Sequence, residues 1–286
     1  MVNLEKTKEH IERLKKKNPV YKELLNFYGQ IAEALLIVNP QFDLSPIHST
    51  EDIRKIQLKD GFPLLNKNEF ILDIPASVKL FESICTIAKN ATNKMKKNIQ
   101  KIEKAVKDDK LNREKLLEKH FDSTYIDEIT KKLKLDRPIL NFLITTSLKP
   151  SIHSNVENLR DKVDLKIWLR GYCPLCGSLP QMSELKGEGK RYFLCSFCNF
   201  EWSSERLRCP FCENTDHKKL HYLYAEGQEA YRVDLCDKCK KYTKTVDSRK
   251  LDYEPDLNLE DIITIHLDIL ASEKGFKRPV PSLWGT

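Results

Sequence analysis

The sequence predicts an α+β protein: a helical N-terminal domain, then two small cysteine-bound ribbon modules, then a closing C-terminal helix. Three observations predict it. Residues up to about 165 hold no paired cysteine and place apolar residues at helical spacing. Eight of the nine cysteines form four Cys-x-x-Cys pairs, all within the one segment from Cys173 to Cys239. That segment switches to short aromatic and β-branched runs, a strand signature, before helical spacing returns near residue 258. The expected division is 1–165 for the helical domain, 166–207 and 208–252 for the modules, and 253–286 for the closing helix and tail.

A chain of 286 residues can bury a sizeable core. Its formal charge is +7, and charged residues make up 32%. No apolar run approaches the roughly 20 residues that a membrane span needs. "MVNLEKTKEHIERLKKKNP" has no apolar signal core, so a cytoplasmic location is expected.

The first helix is expected between Pro19 and Pro40, with Val20, Leu24, Phe27, Ile31 and Leu35 on one face. A second starts after Pro75 and runs to about Val106. Lone Cys85 shares a face there with Val78, Phe81 and Ala88, as a small core residue does. "DGFPLLNKNEFILDIP" reads as an extended loop with a short strand at most. Residues 124–133 and 136–164 are further helices, the latter broken or kinked at Pro150. Residues 86–120 carry 11 Lys/Arg against five Asp/Glu. That basic stretch, centred on 94–110, is a solvated helix face or a docking surface for an acidic partner. "RYFLC", "HYLYAEG" and "AYRVDLC" read as hairpin strands beside the cysteine pairs. The closing helix covers 258–274, capped by Asn258 and ended by Gly275. Its middle, "IITIHLDIL", is apolar nearly all round, as in a helix sandwiched between modules.

In a reducing compartment four such pairs read as metal ligands before disulfides. A Cys-x-x-Cys turn points two sulfurs at one tetrahedral centre, and two turns complete four-sulfur coordination. The gaps from Cys176 to Cys195 and from Cys212 to Cys236 are long enough for a hairpin and fit a knuckle–hairpin–knuckle ribbon. The shorter stretch from Cys198 to Cys209 fits a link between sites. Site one is therefore Cys173, Cys176, Cys195 and Cys198. Site two is Cys209, Cys212, Cys236 and Cys239. A cross-braced pairing and a thioredoxin-like dithiol are the alternatives. After the second cysteine of a pair the backbone favours a left-handed conformation, which suits Gly177 and is tolerated by Asn199. Glu213 and Lys240 suit it less, so those two knuckles are expected to differ in shape.

Two metal ions per chain, iron or zinc, are thus expected. With all positions filled by sulfur, no coordination site is open to substrate, and the metals are structural. Iron could change valence, so electron transfer stays open. His217 and His221 read as surface residues and His266 as a packed one. The sequence has no nucleophile elbow, Walker loop, dinucleotide fingerprint or HExxH, and no catalytic residue is assigned. Residues 170–250 hold 15 Lys/Arg against 11 Asp/Glu, an excess that two zinc–tetrathiolate sites cancel and two ferric ones halve. That argues against a nucleic-acid-binding module.

At these residues the chain resembles the formate dehydrogenase accessory proteins of the FdhE type. "GYCPLCGSLP" is similar to the family's first knuckle. "CSFCNFEWSSERLRCPFC" keeps the family spacing through Trp202 and Arg206, and "CDKCKKYTKTVD" keeps it through Tyr242 and Lys244. "LEDIITIHLDILASEKGFKR" resembles its closing helix, with Asp261, Asp268, Gly275, Phe276 and Arg278 in place. "GFPLL" is a weaker match. Glu260 stands where an aspartate is usual and His266 where a small apolar residue is. The resemblance implies rubredoxin-like metal modules and a non-catalytic maturation factor that binds the formate dehydrogenase catalytic subunit. A redox or electron-transfer protein acting on that enzyme is the second reading. Trp202, Arg206, Asp261 and Asp268 are the candidate partner-binding residues. Trp202 also fits the core, and Arg206 a pairing role with a closing-helix aspartate. Homo-oligomerisation is left open.

Overall fold

The computed structural model describes residues 4–41 and 50–280. The tail from 281 onward, assigned above to the closing segment, lies outside them. The chain divides into two compact units, 1–45 with 70–155, and 46–69 with 156–286.

The first unit is helical: α1 (Leu4–Lys17), α2 (Lys22–Ile37), and, after α3 (Glu51–Lys59) of the other unit, α4 (Ile74–Ala88), α5 (Asn93–Lys107), α6 (Arg113–Glu118), α7 (Ser123–Leu133) and α8 (Arg137–Leu159). The helix expected from Pro75 to Val106 is two helices. Thr92 is extended, and its hydroxyl accepts from the Met95 amide, which starts a new helix at Asn93. Asp73 caps α4 in the same way through the Ala76 amide. Cys85 is buried on α4, and burial pushes its thiol up to about 12, so it is an inert core residue. Pro150 lies inside α8, whose helical run continues past it. The stretch read as an extended loop holds no strand among the described residues, and the Ile71 backbone pairs with a side chain instead. Asn155 accepts from its amide (3.1 Å) and donates to its carbonyl (2.8 Å). The lysines of α5 lie on its solvent side, while Ile99, Ile102 and Ala105 are buried.

The second unit is one six-stranded mixed sheet of order β3-β2-β1-β6-β5-β4. Its strands are β1 (Pro180–Lys186), β2 (Lys190–Cys195), β3 (Glu201–Ser204), β4 (Leu220–Leu223), β5 (Tyr231–Cys236) and β6 (Lys241–Asp247). Each cysteine module is a three-stranded antiparallel piece. The two pieces join through the parallel pair β1–β6, in register from Met182↔Lys244 to Leu185↔Asp247. The modules read separately from the sequence are thus halves of one sheet. The reason is physical: each half alone would expose an unpaired edge strand, and the β1–β6 ladder satisfies both.

The closing segment is two helices, α9 (Leu257–Ile263) and α10 (Ile265–Glu273), broken at Thr264. Asp256, rather than Asn258, caps α9. They cover one sheet face. Val233, Leu235, Tyr242, Leu267, Ala271 and Phe276 form one cluster there, and Met182, Leu194, Val246 and Leu257 another. The helix is apolar all round because α10 rests on the sheet while α9 is buried almost entirely.

Candidate metal centres

The eight paired cysteines gather as two clusters, Cys173/Cys176/Cys195/Cys198 and Cys209/Cys212/Cys236/Cys239, and within each all sulfurs lie within 4.8 Å of one another. Neither cross-braced pairing nor disulfides occur among them. Sulfur separations are 3.7 Å (Cys173–Cys198), 3.4 Å (Cys176–Cys195), 3.7 Å (Cys209–Cys239) and 3.7 Å (Cys212–Cys236). A tetrahedral metal with bonds of about 2.3 Å to sulfur sets its ligands about 3.8 Å apart, so both clusters fit such an ion.

The knuckles that build these clusters share one geometry. Within each, the amide after the second cysteine donates to the first cysteine's carbonyl: Gly177 to Cys173 (2.9 Å), Asn199 to Cys195 (3.2 Å), Glu213 to Cys209 (2.9 Å) and Lys240 to Cys236 (2.8 Å). All four donors have positive φ, between 54° and 72°. Glu213 and Lys240 therefore adopt the shape that their side chains disfavour, and the expected difference between knuckles is not seen. The turn imposes it, because the closing hydrogen bond forms only there. Lys240→Gly is accordingly expected to stabilise the unit by up to about 1 kcal/mol, raising the melting temperature by about 2–4 °C. A thermal melt of the metal-loaded protein checks this.

The clusters differ in environment. All four cysteines of the first are buried, whereas Cys212 and Cys239 of the second are half-exposed. Hydrogen bonds from Cys173, Cys195 and Cys198 hold the Cys176 thiol far below its usual range, while burial pushes Cys173 and Cys198 well up. A bound cation takes all four sulfurs as thiolates, so it would displace the protons that burial favours on Cys173 and Cys198. In the second cluster burial pushes Cys209 up. Burial also raises Cys236, but the Cys239 amide, the Cys212 thiol and other donors outweigh it and leave Cys236 lowered. Asn214 Nδ2 stands 3.9 Å from Cys236 Sγ, a contact that the cysteine spacing alone did not flag.

"GFPLL" finds its place here. The Leu64 and Leu65 amides donate to the carbonyls of Pro174 and Leu175 (2.9 Å each), and the Tyr172 hydroxyl donates to Gly61 O (2.6 Å). The segment clasps the first knuckle from a distant stretch of sequence. A side chain at Gly177 would also press on Pro63, at 3.2 Å. At Gly171 a Cβ would lie 2.0 Å from Pro210 O, so only glycine lets the first knuckle approach the third.

Three of the four residues proposed for partner contact are buried. Trp202 packs on Phe193, with ring centroids 5.6 Å apart. Asp261 and Asp268 bind Lys244 Nζ, each at 2.7 Å, and Arg278 reaches both, at 2.7 and 3.3 Å. The Tyr242 hydroxyl donates to Asp268 (2.7 Å). The counter-ion of the closing-helix aspartates is therefore Lys244 with Arg278, not Arg206, which is exposed. The matched tyrosine, lysine, aspartates and arginine form one buried ionic knot that ties the fourth knuckle's strand to the closing helices. His221 is on the surface, with Nε2 2.6 Å from Asp237. No helix among the described residues is long and apolar enough to cross a membrane.

Two family models match in sequence order: "FdhE, central domain" over 172–206 and "FdhE, C-terminal domain" over 207–284. The chain is 28% identical to "Protein FdhE homolog" of Aquifex aeolicus, over 92% of this chain and 88% of that protein. It is 32% identical to "Protein FdhE homolog" of Stutzerimonas stutzeri over 45% of this chain and 41% of that protein. With "Protein FdhE" of Escherichia coli the figures are 33%, 38% and 36%, so these last two alignments span less than half of either relative. The crystal structure of the FdhE protein from Pseudomonas aeruginosa shares the fold, with a TM-score of 0.70 over 98% of this chain and 94% of that one, at 20% identity. Both domain models fall in order across the two cysteine clusters, and the fold extends over nearly the whole length: the chain belongs to the FdhE family.

Proposed function

We propose that this chain is a cytoplasmic accessory factor for the maturation of formate dehydrogenase, binding the enzyme's catalytic subunit without catalysing a reaction itself. The observation that carries this reading is closure of the cysteine clusters. Each offers four converging protein sulfurs to one ion, so a metal held there meets no substrate and serves to shape the surface around it. Of the four candidate contact residues, Arg206 alone is exposed to touch a partner. Trp202, Asp261 and Asp268 act by holding the frame. Deleting the gene in its own host should abolish formate dehydrogenase activity, and the tagged wild-type chain should restore it while co-purifying the catalytic subunit. Full activity in the deletion strain would refute the reading.

The half-exposed Cys212 and Cys239 favour a second reading, in which the second centre holds iron and exchanges electrons with the client. Anaerobic purification with metal analysis separates the two. Iron with visible ferric–thiolate absorption supports redox work, and two zincs without colour support a purely structural pair.

A further inference from the structure

The sheet face away from the closing helices carries a cavity, largely apolar in its lining but ringed by cationic side chains, that the metal centres leave unexplained. It has a volume of about 110 Å³ and lies beside Cys209 and Cys236 of the second cluster, under the 206–211 linker. Its charged lining is Arg191, Arg206, Arg208, Arg232 and Lys241 against one carboxylate, Asp234. We propose that this cavity binds a small oxyanion of the phosphate type.

The argument rests on cationic donors in excess of the acceptors beside them. Asp234 is already shared: its Oδ2 takes Arg191 (3.0 Å) and the Thr245 hydroxyl (2.6 Å). Arg232 Nε lies 2.9 Å from Asp234 Oδ1, yet it is buried and donates to no protein acceptor. Arg208 turns a terminal nitrogen outward to Glu213 (3.1 Å), leaving its Nε buried and unpartnered as well. Buried N–H groups without acceptors are rare and costly: Arg208 Nε has none, Arg232 Nε has only a misaligned ion pair, and the lining's surplus of cations over its one carboxylate calls for an anion. Arg206 adds an exposed guanidinium that makes no ion pair among the described residues. The cationic groups are also held in place beforehand. Arg191 is buried and stacks on Phe193 (4.7 Å), and Arg232 stacks on Tyr222 (4.9 Å). Guanidinium forks match tetrahedral oxyanions through paired N–H donors. The volume suits such an ion and is well below the roughly 300 Å³ at which organic-ligand pockets begin.

Calorimetric titration of the metal-loaded full chain with inorganic phosphate, at ionic strength fixed with chloride, tests this. One saturable site per chain is expected. Arg232→Gln should abolish it, but that side chain is half-buried, so Arg206→Gln decides. In that variant affinity should fall at least about tenfold, or about 1.4 kcal/mol, with metal content and melting temperature unchanged. No saturable binding by the wild type, or an Arg206→Gln affinity within tenfold of it, overturns the proposal.

Discussion

Replacing Cys195 with serine is expected to empty the first centre and unfold the sheet unit. Cys195 ends β2, and its sulfur accepts from the Phe197 and Cys198 amides at 3.4 and 3.5 Å. Serine offers a harder, weaker ligand in place of a thiolate, and leaves three sulfurs crowded around one another. Structural tetrahedral sites contribute on the order of 10–16 kcal/mol, whereas whole domains are stable by about 5–15 kcal/mol. Loss of even part of that contribution removes the margin. The location makes the effect global, because the first centre is wholly buried and is gripped by the 64–65 backbone. Cys239→Ser is the contrasting case. Its sulfur is half-exposed at the β5–β6 turn, so one metal should be lost while β1–β3 and the closing helices persist. Metal content by mass spectrometry and near-ultraviolet circular dichroism read both variants. A Cys195→Ser chain with two metals and an unchanged melting temperature would show that the cluster does not hold the fold.

The cysteine clusters were legible because their chemistry is local. A knuckle is a single tight turn, and hairpin-length gaps at 176–195 and 212–236 select one partner turn over another. Helix α2 and the start of α4 were legible by apolar period and proline boundaries, and α7 as a helix over 124–133, but not the break that separates α4 from α5. What escaped the sequence reading depends on distant partners. Nothing near Ile71 says that Asn155 will satisfy its backbone, and nothing in 61–65 says that it will clasp residues 174–175. The β1–β6 ladder joins the first and last strands of the cysteine-rich segment, and it forms because both are otherwise bare edges. Glu213 and Lys240 show the opposite failure: local preference was read correctly and tertiary demand overrode it. Resemblance singled out Tyr242, Lys244, Asp261, Asp268 and Arg278, but only the structure shows that they are one network rather than separate contact points.

That network carries the second large effect. Lys244→Met should destabilise the sheet unit by about 3–5 kcal/mol. Lys244 is 1% exposed, and its ammonium binds the Asp261 carbonyl (2.8 Å) and one carboxylate oxygen of each aspartate. Methionine fills similar volume, so the loss is electrostatic: two buried carboxylates are left with Arg278, the Tyr242 hydroxyl and a long contact from Gln181 at 3.5 Å. Pairing the change with Asp268→Asn should recover part of the loss, since the lysine's removal harms through the uncompensated charge. Acidity gives an independent check. Burial pushes the Asp261 carboxyl up, but Lys244 and Arg278 outweigh it and hold it below the ordinary carboxylate range. A depressed folded value means that the contribution is complete above the unfolded-state value and is lost as pH falls through the folded one. The wild type should therefore keep it until below about pH 4, and Lys244→Met should lose it at higher pH. Urea unfolding at several pH values measures both effects, as a lowered midpoint with unchanged slope. A wild-type midpoint in Lys244→Met at neutral pH would mean that Arg278 alone balances both carboxylates, and that the lysine is dispensable to the knot.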